Sequence, residues 1–447
     1  MVLRFSCNRT ALMLACSLPM MAHAMDLQQA YEAAQMHDAR IRASRYQADA
    51  TRERLPQAKS QRLPNVSLNA TRYRNDLTAK TQNFLGQPIT QSNDYYSSNQ
   101  SLTIRQALYR PAVTAAIEQA REQVKDAEAT LETDEQTLVQ RVSQAYFEAL
   151  LAQEQVELVQ SQKASNAAQL DAARKALAAG SGTRTDIDEA QARVDMTVAQ
   201  ELEARQNQEF TRRNLESLTG QPVTSLSGLD VSRFVPEQPQ PMSLQSWVDD
   251  AMANSPQVRA LLAQVEAARL EIDKAQAGHK PTLDLIAQWS KTNSDSVTSV
   301  NSRYDQRSVG LQLTVPLYEG GYTSSTVRQA GANYARAQEV LEATRLELQM
   351  QVHKEFRGMT EGVLRIAALE QAVRSADQAV LSSDKSFAAG SRTTLDVLNA
   401  QQQRTVALRD LAQARYQYLL AWVQLHALAG RDRLTSIGKV NVWLAPR

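Results

Sequence analysis

The chain has 447 residues, of which 49 are basic and 48 acidic, so its net charge is close to zero. This balance excludes the clustered basic surface that nucleic-acid binding requires. Both cysteines, Cys7 and Cys16, lie in the first 24 residues, so a chain shortened there has no thiol for a disulfide or a metal site. Beyond that segment no run of eighteen apolar residues occurs, which argues against a transmembrane helix.

The first 24 residues have the pattern of an export signal. Arg4 and Arg9 give a basic start, residues 11–18 are apolar, and Ala22-His23-Ala24 fits a small-x-small cleavage site. A lipoprotein signal ending at Cys16 is the alternative, although the residues before this cysteine match such a signal poorly. We predict a signal peptide over residues 1–24. The exported remainder is then periplasmic, secreted, or crosses a membrane with β-strands.

Two halves of the chain repeat one another. The fourteen residues from Ala178 and from Ala388 are identical at eight positions, a displacement of 210. A long repeat predicts one structural unit used twice. The first half also carries eight extra residues between Pro64 and the Leu-Tyr pair that begins at Leu108. The predicted divisions are a first repeat over 25–220, a linker over 221–242, a second repeat over 243–430 and a tail over 431–447.

Each repeat is predicted to begin with helices, over residues 26–60 and 243–278, and to continue with two strands. In the second repeat, apolar and polar residues alternate over 283–289 and 309–315, the period of a strand with one apolar face. The first repeat shows the same alternation more weakly, around Val66 and Leu102. The polar Asn/Ser/Thr-rich segments 74–94 and 291–303 are predicted to be loops between the strands.

Very long helices are predicted after the strands. Residues 112–179 contain neither proline nor glycine, so an unbroken helix there would reach about 100 Å. Apolar residues recur every seven positions from Ile117 to Val159, which predicts left-handed supercoiling against neighbouring helices.

The repeated motif predicts a tight turn between two antiparallel helices, made twice. Gly180 and Gly390 suit the left-handed caps that end the outgoing helices. Thr183-x-x-Asp186 and Thr393-x-x-Asp396 have the spacing of capping boxes, which start the returning helices.

The predicted fold is therefore mainly α with a small β part: long antiparallel coiled-coil helices in an α-barrel, plus four strands per protomer. Four strands cannot close a barrel, and open sheet edges are not tolerated in hydrocarbon. If the strands cross a membrane, at least two protomers must pool them, because the smallest transmembrane barrels have about eight strands.

Four segments resemble the TolC family of outer-membrane channels: EQPQPMSL (237–244), GHKPTLDLIAQ (278–288), VGLQLTVPLYEGG (309–321) and AAGSRTTLDVLNA (388–400). The similarity runs from about Asp26 to Arg431. It implies a homotrimer in the outer membrane, in which three sets of four strands close a twelve-stranded barrel above a long periplasmic α-barrel. The segments 74–94 and 291–303 would then face outside the cell. The short tail after Gly430 implies that part of the family's equatorial region is reduced.

The resemblance also implies a function and partners. The expected role is the exit duct of a tripartite efflux pump or a type I secretion system, conducting substrate passively from the periplasmic complex to the exterior. The expected partners are a periplasmic adaptor, an inner-membrane ABC exporter or proton-driven pump, and outer-membrane lipid, with no nucleic acid and no cofactor.

The resemblance assigns roles to residues at the helix turns. The gate residues it implies are Asp396, Asn399, Arg392, Asp186 and Phe387. In the family's motif a second aspartate stands where this chain has Asn399, and a tyrosine stands where it has Phe387. Asp396 is expected to line the pore, and Arg392 to reach Asp186 as a tether. For both aspartates the first turn of a helix is also a favourable place for a carboxylate.

The helix turns are also the expected docking surface for the adaptor. The residues implied are Gly180, Ser181, Gly182, Gly390 and Ser391. Glycine permits close approach of another backbone. The alternative is that these glycines only cap helices, and the two roles are compatible.

No catalytic motif occurs. The histidines are scattered, without an HExxH or a Walker motif, so the chain is predicted not to be an enzyme. The main alternative to a channel is a periplasmic coiled-coil adaptor or a structural protein without a membrane barrel. An adaptor normally has a single helical hairpin and lacks amphipathic strand pairs.

Overall fold

A computed structural model describes residues 24–294, 302–430 and 433–445. Apart from Ala24, the proposed signal peptide lies outside the described residues. In chain order the elements are α1 (Leu27–His37), α2 (Ala39–Arg52), α3 (Arg54–Ser60), β1 (Asn65–Gln82), β2 (Pro88–Tyr109), α4 (Pro111–Ala178), α5 (Arg184–Thr219), β3 (Gly228–Leu229), α6 (Leu244–Asn254), α7 (Pro256–Gln276), β4 (Thr282–Ser294), β5 (Ser302–Thr314), α8 (Tyr322–Ala388), α9 (Thr394–Leu428), α10 (Arg433–Val442) and β6 (Leu444–Ala445). The order of helices, strand pair and long helical hairpin occurs twice.

The long helices confirm the seven-residue pattern. The 68 residues of α4 span about 100 Å. Along it, Ile117, Leu138, Ala145 and Ala152 are buried, as the apolar seam predicts. Among the described residues, none of the helices has an apolar stretch long enough to cross a membrane.

The helices form a layer with α8 at one edge. Along most of their length α5 packs on α4, α4 on α9 and α9 on α8, while next to the turns α5 also contacts α9. Nearer the sheet, α2 and α3 pack on α4, which packs on α7, and α7 packs on α8. Among the described residues, α8 and α5 lie at the two edges of this layer.

Four antiparallel strands form one sheet in the order β1-β2-β4-β5. Residues directly opposite one another share a face of a sheet. The rows Val66–Ile104–Ala287–Val309 and Leu68–Leu102–Trp289 therefore lie on one face, which we call the apolar face. The opposite face is mostly polar and carries Ser67, Asn69, Ser101, Thr103, Gln288, Ser308 and Gln312. Both β1 and β5 are edge strands.

The loop predicted over residues 74–94 is wrong for most of its length. Strand β1 continues to Gln82 and β2 begins at Pro88, so only residues 83–87 form the turn. This part of the hairpin has no apolar alternation and is joined by polar pairs across the strands. Arg74 contacts Asp94 at 2.9 Å, and the Asn75 amide donates to the Ser97 hydroxyl at 2.9 Å.

The second loop, predicted over 291–303, is also shorter than expected. Strand β4 continues to Ser294 and β5 begins at Ser302, while residues 295–301 lie outside the described residues. The described part of β4 pairs with β2 only as far as Ser97. The β1–β2 hairpin, which contains the eight extra residues of the first half, therefore extends beyond the described part of β4.

The main hydrophobic core lies where the helical hairpins meet the short elements, and it includes the C-terminal residues. Ile437, Val440, Trp443 and Leu444 are all buried there. Strand β6 pairs with β3, and the backbone N–H of Asp230 donates to the Trp443 carbonyl at 2.8 Å. The short tail therefore supplies a helix and a strand to this core, and the reduction of the family's equatorial region stays a prediction.

Candidate functional site at the helix turns

The turn after α4 is a Schellman motif. Gly180 has φ +75°, and its N–H donates to the Leu177 carbonyl at 3.0 Å. The next N–H, of Ser181, donates to the Ala176 carbonyl at 3.0 Å, and the Ser181 hydroxyl donates to the same oxygen at 3.2 Å. These bonds occupy carbonyls that the end of a helix leaves without partners.

A capping box starts α5, as predicted. The Thr183 hydroxyl accepts from the Asp186 N–H at 3.2 Å, and the Asp186 carboxylate accepts from the Thr183 N–H at 3.0 Å. Asp186 is half-buried, and its carboxylate has a structural role within its own turn.

The turn after α8 has the same backbone, 210 residues further on. Gly390 has φ +73°, and the Ser391 N–H and hydroxyl donate to the Ser386 carbonyl at 2.9 and 3.0 Å. The Thr393 N–H donates to the Asp396 carboxylate at 2.9 Å, which completes the second capping box. The glycine, the serine and the capping box of the repeated sequence therefore make the same hydrogen bonds in both turns.

The carboxylate of Asp396 is stabilised in its charged form. Hydrogen bonds from the Thr393 N–H and hydroxyl, together with the nearby Arg392 guanidinium, lower the pKa of Asp396 below its ordinary value. Within one chain this side chain is therefore a helix cap, and it is half-buried. Whether it also lines a pore depends on assembly and stays a prediction.

The two turns differ at one position. Gly182 is packed so closely on the end of α4 that a Cβ there would lie 2.9 Å from the Leu177 backbone nitrogen. The equivalent residue after α8 is Arg392, whose guanidinium donates to the Ser383 hydroxyl at 2.8 Å. Ser383 is fully buried, and its equivalent in the first hairpin is Ala173. Arg392 and Ser383 thus occur together, in place of glycine and alanine.

The expected contact between Arg392 and Asp186 is absent among the described ion pairs of one chain. Next to the turns the two hairpins are joined by other residues: the Arg193 guanidinium of α5 donates to the Asn399 side-chain oxygen of α9 at 2.9 Å, and further along the helices Gln162 of α4 hydrogen-bonds Gln402 of α9. Asn399 therefore accepts a hydrogen bond from the neighbouring hairpin. Phe387, half-buried at the end of α8, has no hydroxyl with which to add a second link.

Arg193 is a residue that sequence reasoning missed. It lies 206 positions from Asn399, and no local motif marks it. A sequence signal does exist for the partner of Arg392. In the internal repeat, Ser383 stands where the first half has alanine, and Arg392 stands where it has glycine.

Space for a partner exists at both turn glycines. An added Cβ at Gly180 or at Gly390 would have nothing within 4 Å. Further along the helices, well away from the turns, a groove of about 620 Å³ lies between α4, α5 and α9, bordered mainly by amide and aliphatic groups together with Phe210. No group of side chains suited to a metal ion occurs in the described part of the chain.

Comparison with known proteins defines the class of this molecule. The family described as "Outer membrane efflux protein" matches residues 30–221 and 247–431, and the chain belongs to this family. The chain is 34% identical to the alkaline protease secretion protein AprF of Pseudomonas aeruginosa, over 92% of this chain and 85% of AprF. It is 32% identical to the proteases secretion protein PrtF of Dickeya chrysanthemi, over 94% of this chain and 92% of PrtF.

The fold agrees with a solved structure of the same kind. A crystal structure of CusC, described in connection with transmembrane channel formation, superposes with a TM-score of 0.78 at 15% identity, covering 92% of this chain and 94% of CusC. The chain is therefore an outer-membrane exit duct of the efflux or type I secretion class, and the family resemblance found from the four sequence segments is confirmed.

Proposed function

We propose that three copies of this chain form the outer-membrane exit duct of a type I system that secretes protein, with a periplasmic adaptor bound at the helix turns. The observation that carries the proposal is the sheet with two free edges, one apolar face and one polar face, joined directly to helices of about 100 Å. This arrangement provides a lipid-facing surface, a polar lining and a long periplasmic conduit.

The number of copies follows from the width that a duct needs. Strands β1 and β5 leave backbone groups unpaired, which hydrocarbon does not tolerate, so copies must pair edge to edge. Two copies would give eight strands, and a closed eight-stranded sheet has an interior just wide enough for side chains. Three copies give twelve strands, which leave a passage. The repeat, linker and tail boundaries remain part of this proposal.

The two edges of the helical layer also support edge-to-edge assembly of copies, as the edges of the sheet do. On α5, Leu202 is 66% exposed, although it is large and apolar, and it does not line the groove between the hairpins. On α8, Leu364 and Leu381 are 68% and 52% exposed. Edge-to-edge packing of α5 on the α8 of the next copy would bury such side chains, each contributing roughly 1.5 to 3 kcal/mol when fully covered.

The cargo and partners follow from the relatives. Both AprF and PrtF are named for protease secretion. We infer that this chain exports a protein delivered by an ABC exporter through an adaptor that contacts Gly180, Ser181, Gly182, Gly390 and Ser391. Efflux of small molecules with a proton-driven pump is the second candidate, favoured by the name of the family.

Assembly is tested by changing an apolar side chain at the helical edge. In Leu202→Glu, a charge would have to be buried between copies, so we expect the trimer to be lost in native mass spectrometry of protein from the outer-membrane fraction. The matched control is Leu85→Glu at the β1–β2 turn, where the leucine is 78% exposed and no neighbour is expected. A Leu202→Glu protein that remains trimeric would contradict the proposed edge.

The cargo is tested by reconstitution. We expect cells that contain this chain, an ABC exporter and its adaptor to release a protease into the medium, and cells without this chain to retain it. Restored drug resistance without protease release would favour efflux.

A further inference from the structure

Basic residues border the apolar face of the sheet at the end distant from the helices. Arg307 lies opposite Trp289, in the last largely apolar row. In the next row Lys291 lies opposite Asp305, and in the row beyond it Arg303 lies opposite Asn293. Because directly opposite residues share a face, Lys291, Arg303 and Arg307 all lie on the apolar face.

These three residues form a compact group, which we call the basic rim. Asp305 is directly opposite Lys291 and lies two residues from both Arg303 and Arg307 on β5, so all four occupy neighbouring positions of one face. The Asp305 carboxylate accepts a hydrogen bond from the Trp289 indole N–H at 2.8 Å. The group therefore has three positive charges around one carboxylate, and the three basic side chains are exposed.

The same face continues the pattern on β1. Arg72 lies in the row of Ser98, Asn293 and Arg303, and its guanidinium lies 5.1 Å from the centre of the Tyr96 ring. In a closed sheet β1 of one copy would pair with β5 of the next. Arg72 would then lie on the strand next to the basic rim of its neighbour.

The other end of the apolar face is different. The exposed large residues near the helices are Tyr109, Leu317, Tyr318 and Tyr322, with Tyr318 88% exposed. Aromatic side chains suit either membrane interface, because they join an apolar body to a polar tip. The basic residues of β4 and β5 all lie at the far end of the apolar face, so along these two strands the ends of that face offer different chemistry.

We propose that the basic rim binds the phosphate groups of an anionic glycolipid of the outer leaflet, of the bisphosphorylated lipid A type. The inference rests on the proposed function, in which the apolar face contacts lipid and the helices lie in the periplasm. The rim then lies at the height where acyl chains end and phosphorylated headgroups begin. The acyl chains would contact Val309, Leu311 and Trp289, which lie directly below it.

The side-chain chemistry of the rim fits phosphate. Arginine presents two parallel N–H donors to a phosphate, and lysine adds a mobile point charge. Each basic residue attracts an anionic lipid surface, and this attraction falls off within a Debye length. The basic residues must therefore lie close to the headgroups, which their place beside the apolar rows provides. The Asp305 carboxylate accepts a hydrogen bond from Trp289, and one negative charge among three positive charges leaves the net charge of the rim positive.

The test uses the purified full-length assembly in detergent and measures bound lipid by native mass spectrometry. The variant is Lys291→Gln/Arg303→Gln/Arg307→Gln, which keeps polarity and removes charge. The control is Arg105→Gln, because Arg105 lies on the polar face of the same sheet, opposite Ile286. We expect bisphosphorylated lipid A to bind the triple variant roughly 100-fold more weakly than wild type, and the control to bind normally.

Three further measurements identify what is recognised. Dephosphorylated lipid A should bind wild type as weakly as bisphosphorylated lipid A binds the triple variant, since the acyl chains are unchanged. A zwitterionic phospholipid should show no difference between the proteins. Inorganic phosphate should not displace the lipid at millimolar concentration, because it lacks the acyl contacts; displacement would show a free-anion site and overturn the proposal.

The outcomes separate this proposal from the proposed function. Wild type that is absent from the outer-membrane fraction would refute the duct. Trimeric wild type that binds both forms of lipid A equally would leave the duct intact and refute lipid recognition. If the triple variant does not assemble, Arg307→Gln alone serves as the second variant, and unchanged lipid A binding by this assembled protein would also refute recognition.

Discussion

The α4–α5 hairpin and the α8–α9 hairpin have the same backbone turn but different interiors. In the first, the Lys163 ammonium contacts the Glu201 carboxylate at 2.7 Å, where the second hairpin, 210 residues on, has Val373 and Leu411. The first also joins Asn166 to Thr197 by a buried hydrogen bond of 3.1 Å. At these positions the two copies of the repeat have therefore diverged, with polar pairs in the first hairpin and apolar residues in the second.

This difference separates what the shared unit must keep from what it can change. Both copies keep the glycine, the serine and the capping box, because these satisfy backbone groups at the two helix ends. The interior is free to vary, since an ion pair and an apolar pair can fill the same space. The Lys163–Glu201 ion pair then makes this part of the first hairpin sensitive to acid, whereas Val373 and Leu411 at the equivalent positions do not titrate.

The largest expected effect is on the feature that both hairpins share. Gly180→Trp and Gly390→Trp place a large side chain where the structure has open space, and each should abolish transport if an adaptor docks there. Gly180→Asn is the control, because asparagine tolerates the left-handed backbone and is small. Secretion into the medium is the measurement, with trimer content as a check. Transport that persists in both tryptophan variants would leave the glycines as caps only.

A second experiment exchanges the position at which the turns differ. Gly182→Arg forces a Cβ against the backbone of Leu177 and should destabilise the first turn by about 1 to 3 kcal/mol. Hydrogen exchange of the peptide that covers residues 176–186 measures this. The reciprocal Arg392→Gly should have a smaller effect on the second turn, since it removes one partly exposed hydrogen bond. Equal protection in wild type and Gly182→Arg would show that the turn can relax.

A third experiment tests the link between the hairpins. Arg193→Gln removes the charge that contacts Asn399, and we expect a several-fold rise in single-channel conductance in planar bilayers, since one hydrogen bond to a charged group contributes about 1.5 to 3 kcal/mol at most. Arg392→Ser should raise conductance less, because within one chain Arg392 contacts its own hairpin. A larger effect of Arg392→Ser would support the sequence-based tether, made between copies.

Sequence reasoning was most accurate where local chemistry determines structure. Glycine followed by Thr-x-x-Asp located both turns to the residue, and the seven-residue period located the seam of α4. The predicted strands were too short because residues 74–82 lack an apolar face. In the structure these residues belong to β1 through their backbone pairing with β2. The sequence did not indicate that the tail belongs to the hydrophobic core, because Trp443 is buried by residues far away in the chain. Arg193 was missed for the same reason.

The smallest expected effect is a pH response centred on the Lys163–Glu201 ion pair of the first hairpin. Contacts from Lys163 and Arg205 lower the pKa of Glu201 from 4.5 to about 2. The folded hairpin therefore binds fewer protons than the unfolded chain between these two values, so its stability falls as pH falls through this window. Above pH 4.5 the contribution is fully present, and no change is expected between pH 5 and 8.

The second hairpin is an internal reference for this measurement. Hydrogen exchange at pH 3, corrected for the intrinsic exchange rate, should show lower protection around Lys163 and Glu201 than at pH 6, while the equivalent segments around Val373 and Leu411 change less. Lys163→Val/Glu201→Leu gives the first hairpin the residue types of the second and should remove the difference, because a packed apolar pair does not titrate. If the double variant responds to acid as wild type does, the ion pair is not the cause, and other carboxylates along α5 must be.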